Sequence, residues 1–231
     1  MLNELFKEAG YFGFFLTLFT YYIVYIINKK FKSPIFNPLL ISTIIIIAVL
    51  CLFRIDYETY NYGAQHITYF LTPATVCYAV PLHQEMKKLK ENTFAIMVGI
   101  ITGVLTSMLC VLALALIFKL THEQYVTLLP KSITTAFGYG VSDELSGIPS
   151  ITVPVIIITG VVGNVFGQSI CRIAGIRNRI AVGLAFGSSS HALGTAKALE
   201  LGELEGAMSS ISVVVSGIIT VIIASVFAGF Y

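Results

Sequence analysis

Four runs of this chain are too long and too apolar to be ordinary core elements of a soluble fold. They are "YFGFFLTLFTYYIVYII" (11–27), "PLLISTIIIIAVLCLF" (38–53), "FAIMVGIITGVLTSMLCVLALALIF" (94–118) and "ISVVVSGIITVIIASVFAGF" (211–230). A membrane-spanning helix takes roughly 17–25 mostly apolar residues. Charged residues make up only 11% of the chain, against about 25% in soluble domains, so the solvent of this fold is lipid. Backbone polar groups in lipid must be satisfied within the protein, which leaves helices as the spanning element for runs of this kind. The expectation is an all-α integral membrane protein, a polytopic helical bundle lying in the bilayer.

Charge gives the orientation. "NKKFKSPIF" (28–36), "EMKKLKEN" (85–92) and "CRIAGIRNRI" (171–180) each carry three basic residues, together nine of the 14 lysines and arginines. By the positive-inside rule these loops face the cytoplasm. "YGVSDELSGIPS" (139–150) and "ELGELEGA" (200–207) carry acids and no Lys or Arg. The opening "MLNELFKEAG" mixes acids and bases and lacks a basic n-region or a cleavage site, so the first apolar run is expected to be retained. With no Trp in the chain, Tyr21, Tyr22 and Tyr57 near the window ends are the candidate interface anchors.

Three polar, small-residue-rich stretches interrupt the apolar grammar: "FLTPATVCYAVP" (70–81), "LLPKSITTAFGYG" (128–140) and "FGSSSHALGTAKA" (186–198). A shift of 57 residues lays Pro73 on Pro130 and the "ITGV" at 101–104 on the one at 158–161. A shift of 118 lays the "GIIT" at 99–102 on 217–220 and Pro73 on His191. The pattern reads as an internal repeat of a break, a loop and a full span. Broken helix at membrane depth is tolerated only inside protein or against a watery cavity, and such breaks in corresponding halves are the sequence mark of a transporter's binding site.

Following the charges, 94–118 runs outward and 151–170 inward. Residues 121–149 then begin and end outside as a re-entrant hairpin, and 178–203 dips in from the cytoplasmic face with the opposite orientation. The rival is a pair of broken helices that cross fully, which puts either the arginines or the acids on the unexpected side. We expect one transmembrane domain over 1–231, with two N-terminal spanning helices in 1–56 and a repeat-containing transport core in 57–231.

The candidate substrate-binding residues lie on the breaks. Lys131 at membrane depth costs about 2.5–3.5 kcal/mol unpaired, so it reads as the cation for an anionic substrate; the alternative is a lysine snorkelling to the headgroups. Pro130 suits the first turn of a half-helix whose positive end points at the same place, with Ser132, Thr134 and Thr135 as hydroxyl donors. His191 follows Ser188, Ser189 and Ser190, any of which suits an N-cap. Its imidazole can meet a carboxylate or take a proton, or it is a hydrogen-bonded packing histidine. Gly194 and Thr195 continue this break; Thr72, Pro73 and Thr75 form the matching corner of the first copy, with Thr72 as N-cap. Lys197 reads as interfacial, and Asn164 and Gln168 as interhelical hydrogen-bond partners. The small-xxx-small spacings "GIITG" (99–103), "GNVFG" (163–167) and "GLAFG" (183–187) allow tight helix crossings.

Enzyme and metal signatures are missing: there is no G-x-S-x-G, H-E-x-x-H or P-loop, and His and Cys lack ligand spacing. Cys51, Cys77, Cys110 and Cys171 read as reduced packing residues. No catalytic residue, metal or cofactor is expected, and no basic patch suits a nucleic acid. Whether H+ or Na+ is coupled is open.

The motifs "LLPKSITTAFGYG…SGIPSITV…ITGVVG", "GLAFGSSSHALGTAKALELGELEGAMSS" and "FLTPATVCYAVPL" make the chain resemble the LrgB/CidB family of bacterial membrane proteins, antiholin-like proteins related to the plastidal glycolate/glycerate translocator of plants. The likeness covers nearly the whole chain and is strongest over 70–215. It implies a multi-pass protein of the bacterial cytoplasmic membrane, forming homo-oligomers with a small LrgA/CidA-like membrane partner. It implies two functions: modulation of murein hydrolase activity and lysis, or facilitated passage of small monocarboxylates such as pyruvate, glycolate or glycerate. The repeated breaks, the lysine and the histidine favour the second as the molecular activity, with Lys131 and His191 recognising the anion.

Overall fold

The computed structural model of the protein describes residues 10–31, 38–70, 73 and 79–231. It divides into two compact units, residues 1–77 and 78–231, where the sequence suggests a division after residue 56. Every regular element among the described residues is helical.

In the first unit, α2 (Pro38–Phe53) and α3 (Tyr57–Thr68) each pack on α1 (Phe12–Phe31). The closest crossing is at Gly13, where an added Cβ would lie 1.9 Å from the Tyr60 carbonyl oxygen. Only a glycine permits this approach, and the Thr17 hydroxyl then reaches the Tyr60 hydroxyl at 2.8 Å. The α1 helix is long enough to span; α2, at 16 residues, is shorter than the other candidate spans.

The second unit contains α4 (Ala79–Gln84), α5 (Met86–Glu91), α6 (Thr93–Phe118), α7 (His122–Leu128), α8 (Thr135–Glu144), α9 (Pro149–Ile173), α10 (Arg179–Leu201) and α11 (Glu203–Ala228). Three of these, α6, α9 and α11, are long and apolar enough to cross a membrane. At 1.5 Å per residue, α6 extends about 39 Å.

Between the spans lie two helical hairpins. In the first, α7 descends from the C-terminal end of α6, opened by a capping box in which Thr121 Oγ1 accepts from the Gln124 amide and Gln124 Oε1 from the Thr121 amide. Residues 129–134 turn the chain and α8 returns. Its two arms close at one base: Thr127 Oγ1 accepts from the Ile148 amide at 2.9 Å, and Thr152 Oγ1 lies 2.7 Å from Ser142 Oγ and 3.0 Å from the Thr127 carbonyl. The tip lies beside the middle of α6, where Ser132 Oγ meets Ser107 Oγ at 2.9 Å.

The second hairpin is α10, broken at His191, whose φ of 42° and ψ of −136° reverse the chain. Its arms, 179–190 and 192–201, lie against each other: a Cβ on Gly194 would come within 2.4 Å of the Phe186 carbonyl oxygen. Both arms also pack on the start of α11, Arg179 through Glu205 and Thr195 through Ser209. This hairpin enters from the end opposite the first, since its first arm runs alongside α6 with Leu184 at Gly99 and Ser188 at Gly103.

Both segments therefore reverse within the bundle, in the form the hairpin expectation gives them. One consequence is that the acids at 200–205 stand at the arginine end. Arg179 donates to Glu205 through Nε and Nη2, both at 2.7 Å. A bidentate guanidinium–carboxylate pair is the strong form of this contact; it clamps the hairpin's base to α11, and Lys197 pairs with Glu200 nearby.

The three small-xxx-small runs carry the second hairpin. Gly99 and Gly103 face its first arm from α6; Gly163 and Gly167 face Ser190 and Phe186 from α9; Gly183 and Gly187 meet the backbone of α11 at Glu205 and Ser209. A buried apolar cluster runs along the bundle from Ile96 and Met208 to the other end, where Val111, Ala115, Tyr125, Leu129 and Phe227 belong to it. The Tyr125 hydroxyl donates to the Phe227 carbonyl at 2.8 Å, and Tyr231 donates to Leu120.

This topology predicts the side from which single cysteines react in intact cells. Cysteines at Glu123 and Ser146 label from one face of the membrane, and cysteines at Arg177 and Glu200 from the other. Labelling of the two positions of either pair from opposite faces contradicts the hairpins.

Candidate functional site

The two tips frame a cavity of about 800 Å³ between α6, α9 and the first arm of α10. Its inner end is polar, with Lys131, Ser132, Ser107, Ser189 and Ser190 on the wall. From there it extends along α10 toward Ala181 and Ile176 at the arginine end. The opposite end of the bundle is filled by the apolar cluster around Tyr125.

Lys131 belongs to the turn that ends α7. Its amide donates to Leu128 O and the Ile133 amide to Pro130 O, so the turn satisfies part of its own backbone. The ammonium donates to Ser132 Oγ at 3.0 Å and Ser107 Oγ at 3.2 Å, and these hydroxyls touch each other. Among the described residues no carboxylate pairs with Lys131. An ammonium has three donors, and the two hydroxyls take two of them, which leaves one for a further ligand.

Pro130 does not begin the half-helix, as the sequence suggests. It lies in the turn, and α8 starts at Thr135 with Thr134 as its N-cap residue and no side-chain cap bond. The proline fits there because a missing amide costs nothing where the ladder has already stopped. Thr134 is half-buried, Thr135 is exposed, and neither is on the cavity wall.

The serines at the second tip do not cap the returning helix either. Ser188 and Ser189 hydroxyls donate backward to the carbonyls of Leu184 and Ala185, and Ser190 Oγ meets Ser189 Oγ at 2.9 Å. A serine bonded to the carbonyl four residues back keeps its lone pairs for another donor.

His191 is 4% exposed and lies behind the wall. Its Nε2 donates to the Ile156 carbonyl on α9 at 2.9 Å, the geometry of the packing alternative. A left-handed φ at a residue with a Cβ costs of order 1–3 kcal/mol and needs over-determined surroundings. These are supplied by the His191 bond, by Asn164 Nδ2 donating to the Leu193 carbonyl at 2.8 Å, and by Thr195 Oγ1 reaching both His191 O and Ser209 Oγ. Gly194 and Thr195 are buried in the same joint.

Of the sequence candidates, the structure thus gathers Lys131, Ser132, Ser189 and Ser190 around one space, and it puts His191, Gly194 and Thr195 in the joint that shapes it. Pro73 is exposed in the first unit, and Thr72 and Thr75 fall outside the described residues. The sequence reading missed the α6 wall, formed by Thr102, Gly103, Thr106 and Ser107. The available signal was a small or hydroxyl residue at every fourth place, 99, 103, 107 and 102, 106, inside what otherwise reads as a plain span. No group of three His, Cys, Asp or Glu side chains suited to a metal occurs among the described residues.

The sequence model of the LrgB-like family matches residues 17–230. The "Holin-like protein CidB" of Staphylococcus epidermidis is 41% identical over 211 residues, covering 91% of this chain and 92% of that protein. The "Holin-like protein CidB" of Staphylococcus aureus is 38% identical over the same length and shares. No solved structure matches.

The joint predicts a contrast between two glycines. A Cβ at Gly163 would lie 1.6 Å from Ser190 Oγ, whereas a Cβ at Gly140 meets nothing within 4 Å. Gly163→Val is expected to destabilise the purified protein by about 1–3 kcal/mol, the usual cost of overpacking, whereas Gly140→Ala leaves thermal unfolding unchanged or raises it.

Proposed function

The chain belongs to the LrgB-like family of multi-pass bacterial membrane proteins, and from that premise we propose that it carries small monocarboxylates, of the pyruvate, glycolate or glycerate type, across the cell membrane. The observation that carries this reading is Lys131: a cation without a carboxylate partner among the described residues, facing a cavity where two opposed hairpins meet. A charge at that depth is costly to insert and to keep. An anionic cargo repays it while bound.

In this reading Lys131 takes the carboxylate, Ser107 and Ser132 orient the ammonium, and Ser189 and Ser190 line the facing tip. His191, Gly194, Thr195 and Asn164 fix the position of that tip. The extension of the cavity to the arginine end supports reading the arrangement as the inward-open half of an alternating cycle. Movement of the hairpins past α6 and α9 would close one end and open the other.

The name of the staphylococcal relatives supports a second reading, in which the chain acts in a holin-like way through membrane oligomers, together with a small partner of the LrgA/CidA type. The long apolar spans serve either reading. The lysine without a carboxylate partner among the described residues, and the hydroxyls at the inner end of the cavity, favour carriage.

The test is uptake of labelled pyruvate and glycolate into proteoliposomes, with and without the small partner. Lys131→Ala is expected to lower uptake roughly tenfold to a hundredfold, the worth of a hydrogen bond to a charged group, and Lys131→Arg to keep part of it. Folded Lys131→Ala protein with undiminished uptake overturns the assignment. Leakage of unrelated solutes that survives Lys131→Ala supports the holin-like reading instead.

A further inference from the structure

The cavity is much longer than its polar end. Its hydroxyls and its cation gather at the tips, at Ser107, Lys131 and Ser189, while the remainder runs along the first arm of α10 to Ala181. From Ser189 to Ala181 is eight residues, about 12 Å of helix. The walls over that length are apolar side chains and glycines, including Leu184 and Ala185 on one side and Gly167 and Ile170 on the other. The space is a groove of about 800 Å³, open along one side where Ile170 and Val162 are exposed, and its size is that of sites for drug-sized ligands, roughly 300–1,000 Å³.

A three-carbon acid uses only the polar end of such a space. One cation selects one carboxylate: a second carboxylate on the cargo would have to lie among the apolar walls, where an ionised group is expensive to bury. We infer that the site takes amphipathic monocarboxylates, with the carboxylate on Lys131 and an unbranched or aryl apolar tail lying along Leu184 and Ile170 toward Ala181. This deepens the carrier reading and rests on it. Each tail methylene removed from water strengthens binding about fourfold, so acids of six to ten carbons bind more tightly than pyruvate.

Cys110 lines the polar end and is exposed, which provides a reporter inside the site. In a variant with Cys51, Cys77 and Cys171 replaced by Ser, the rate of Cys110 alkylation by N-ethylmaleimide is measured against added acetate, pyruvate, octanoate, suberate and methyl octanoate. Octanoate is expected to protect at a concentration at least tenfold below that of pyruvate, while suberate and methyl octanoate do not protect there. Lys131→Ala abolishes protection, and Leu184→Ser raises the octanoate concentration needed while leaving that of pyruvate in place. If the triple substitution does not fold, the rise in unfolding temperature of the unsubstituted protein with each compound gives the same ranking. Pyruvate protecting as well as octanoate overturns the apolar-tail inference and leaves the carrier reading standing. Methyl octanoate matching octanoate overturns it too, because the site is then merely greasy. No protection by any anion removes both.

Discussion

A helix interrupted inside a membrane exposes backbone groups that lipid cannot satisfy, and this protein contains two such interruptions at the same depth. They are tolerable because protein surrounds each of them. The first tip bonds within its own turn and meets Ser107 on α6. The second is pinned to α9 by His191 and Asn164 and to α11 by Thr195. Among the described residues no buried side-chain nitrogen or oxygen lacks a partner. The glycine-lined crossings and the Arg179–Glu205 clamp hold these tips in position.

Satisfied backbone leaves side-chain polarity available for function. The tips bring serines from three elements to one place and add a lysine, so the polar lining concentrates at the inner end of the cavity. Because the hairpins enter from opposite ends, their two tips reach the middle of the bundle from opposite directions. The same opposition gives the two ends of the bundle different fates. Tyrosines and apolar residues fill one end, and the cavity extends toward the arginines at the other.

Much of this was legible because polar residues stand out against lipid-facing sequence. "PKS" and "SSSH" mark the two breaks, the basic clusters give their directions, and glycines spaced by four mark the crossings. What was not legible depends on contacts distant in the chain. An imidazole in the sequence does not name the Ile156 carbonyl, 35 residues away, that makes it a structural brace. Thr102 and Thr106 are hidden because hydroxyls within spans commonly bond back along their own helix, as Thr102 does to Val98, and so look like packing. Pro130 misled for a local reason: the residue suits the end of one helix as well as the start of the next, and here four residues separate it from Thr135. Serines before a break read as caps, yet backward bonding to Leu184 and Ala185 won.

The central claim is that the first tip and the middle of α6 form one working site around Lys131. It is tested most directly by replacing Ser107 and Ser132, whose hydroxyl oxygens are 2.9 Å apart, by cysteine in a chain free of other cysteines, and oxidising mildly in native membranes. The account predicts a disulfide that stops pyruvate uptake and a reductant that restores it. Failure of the pair to cross-link, or full uptake by the cross-linked protein, contradicts it.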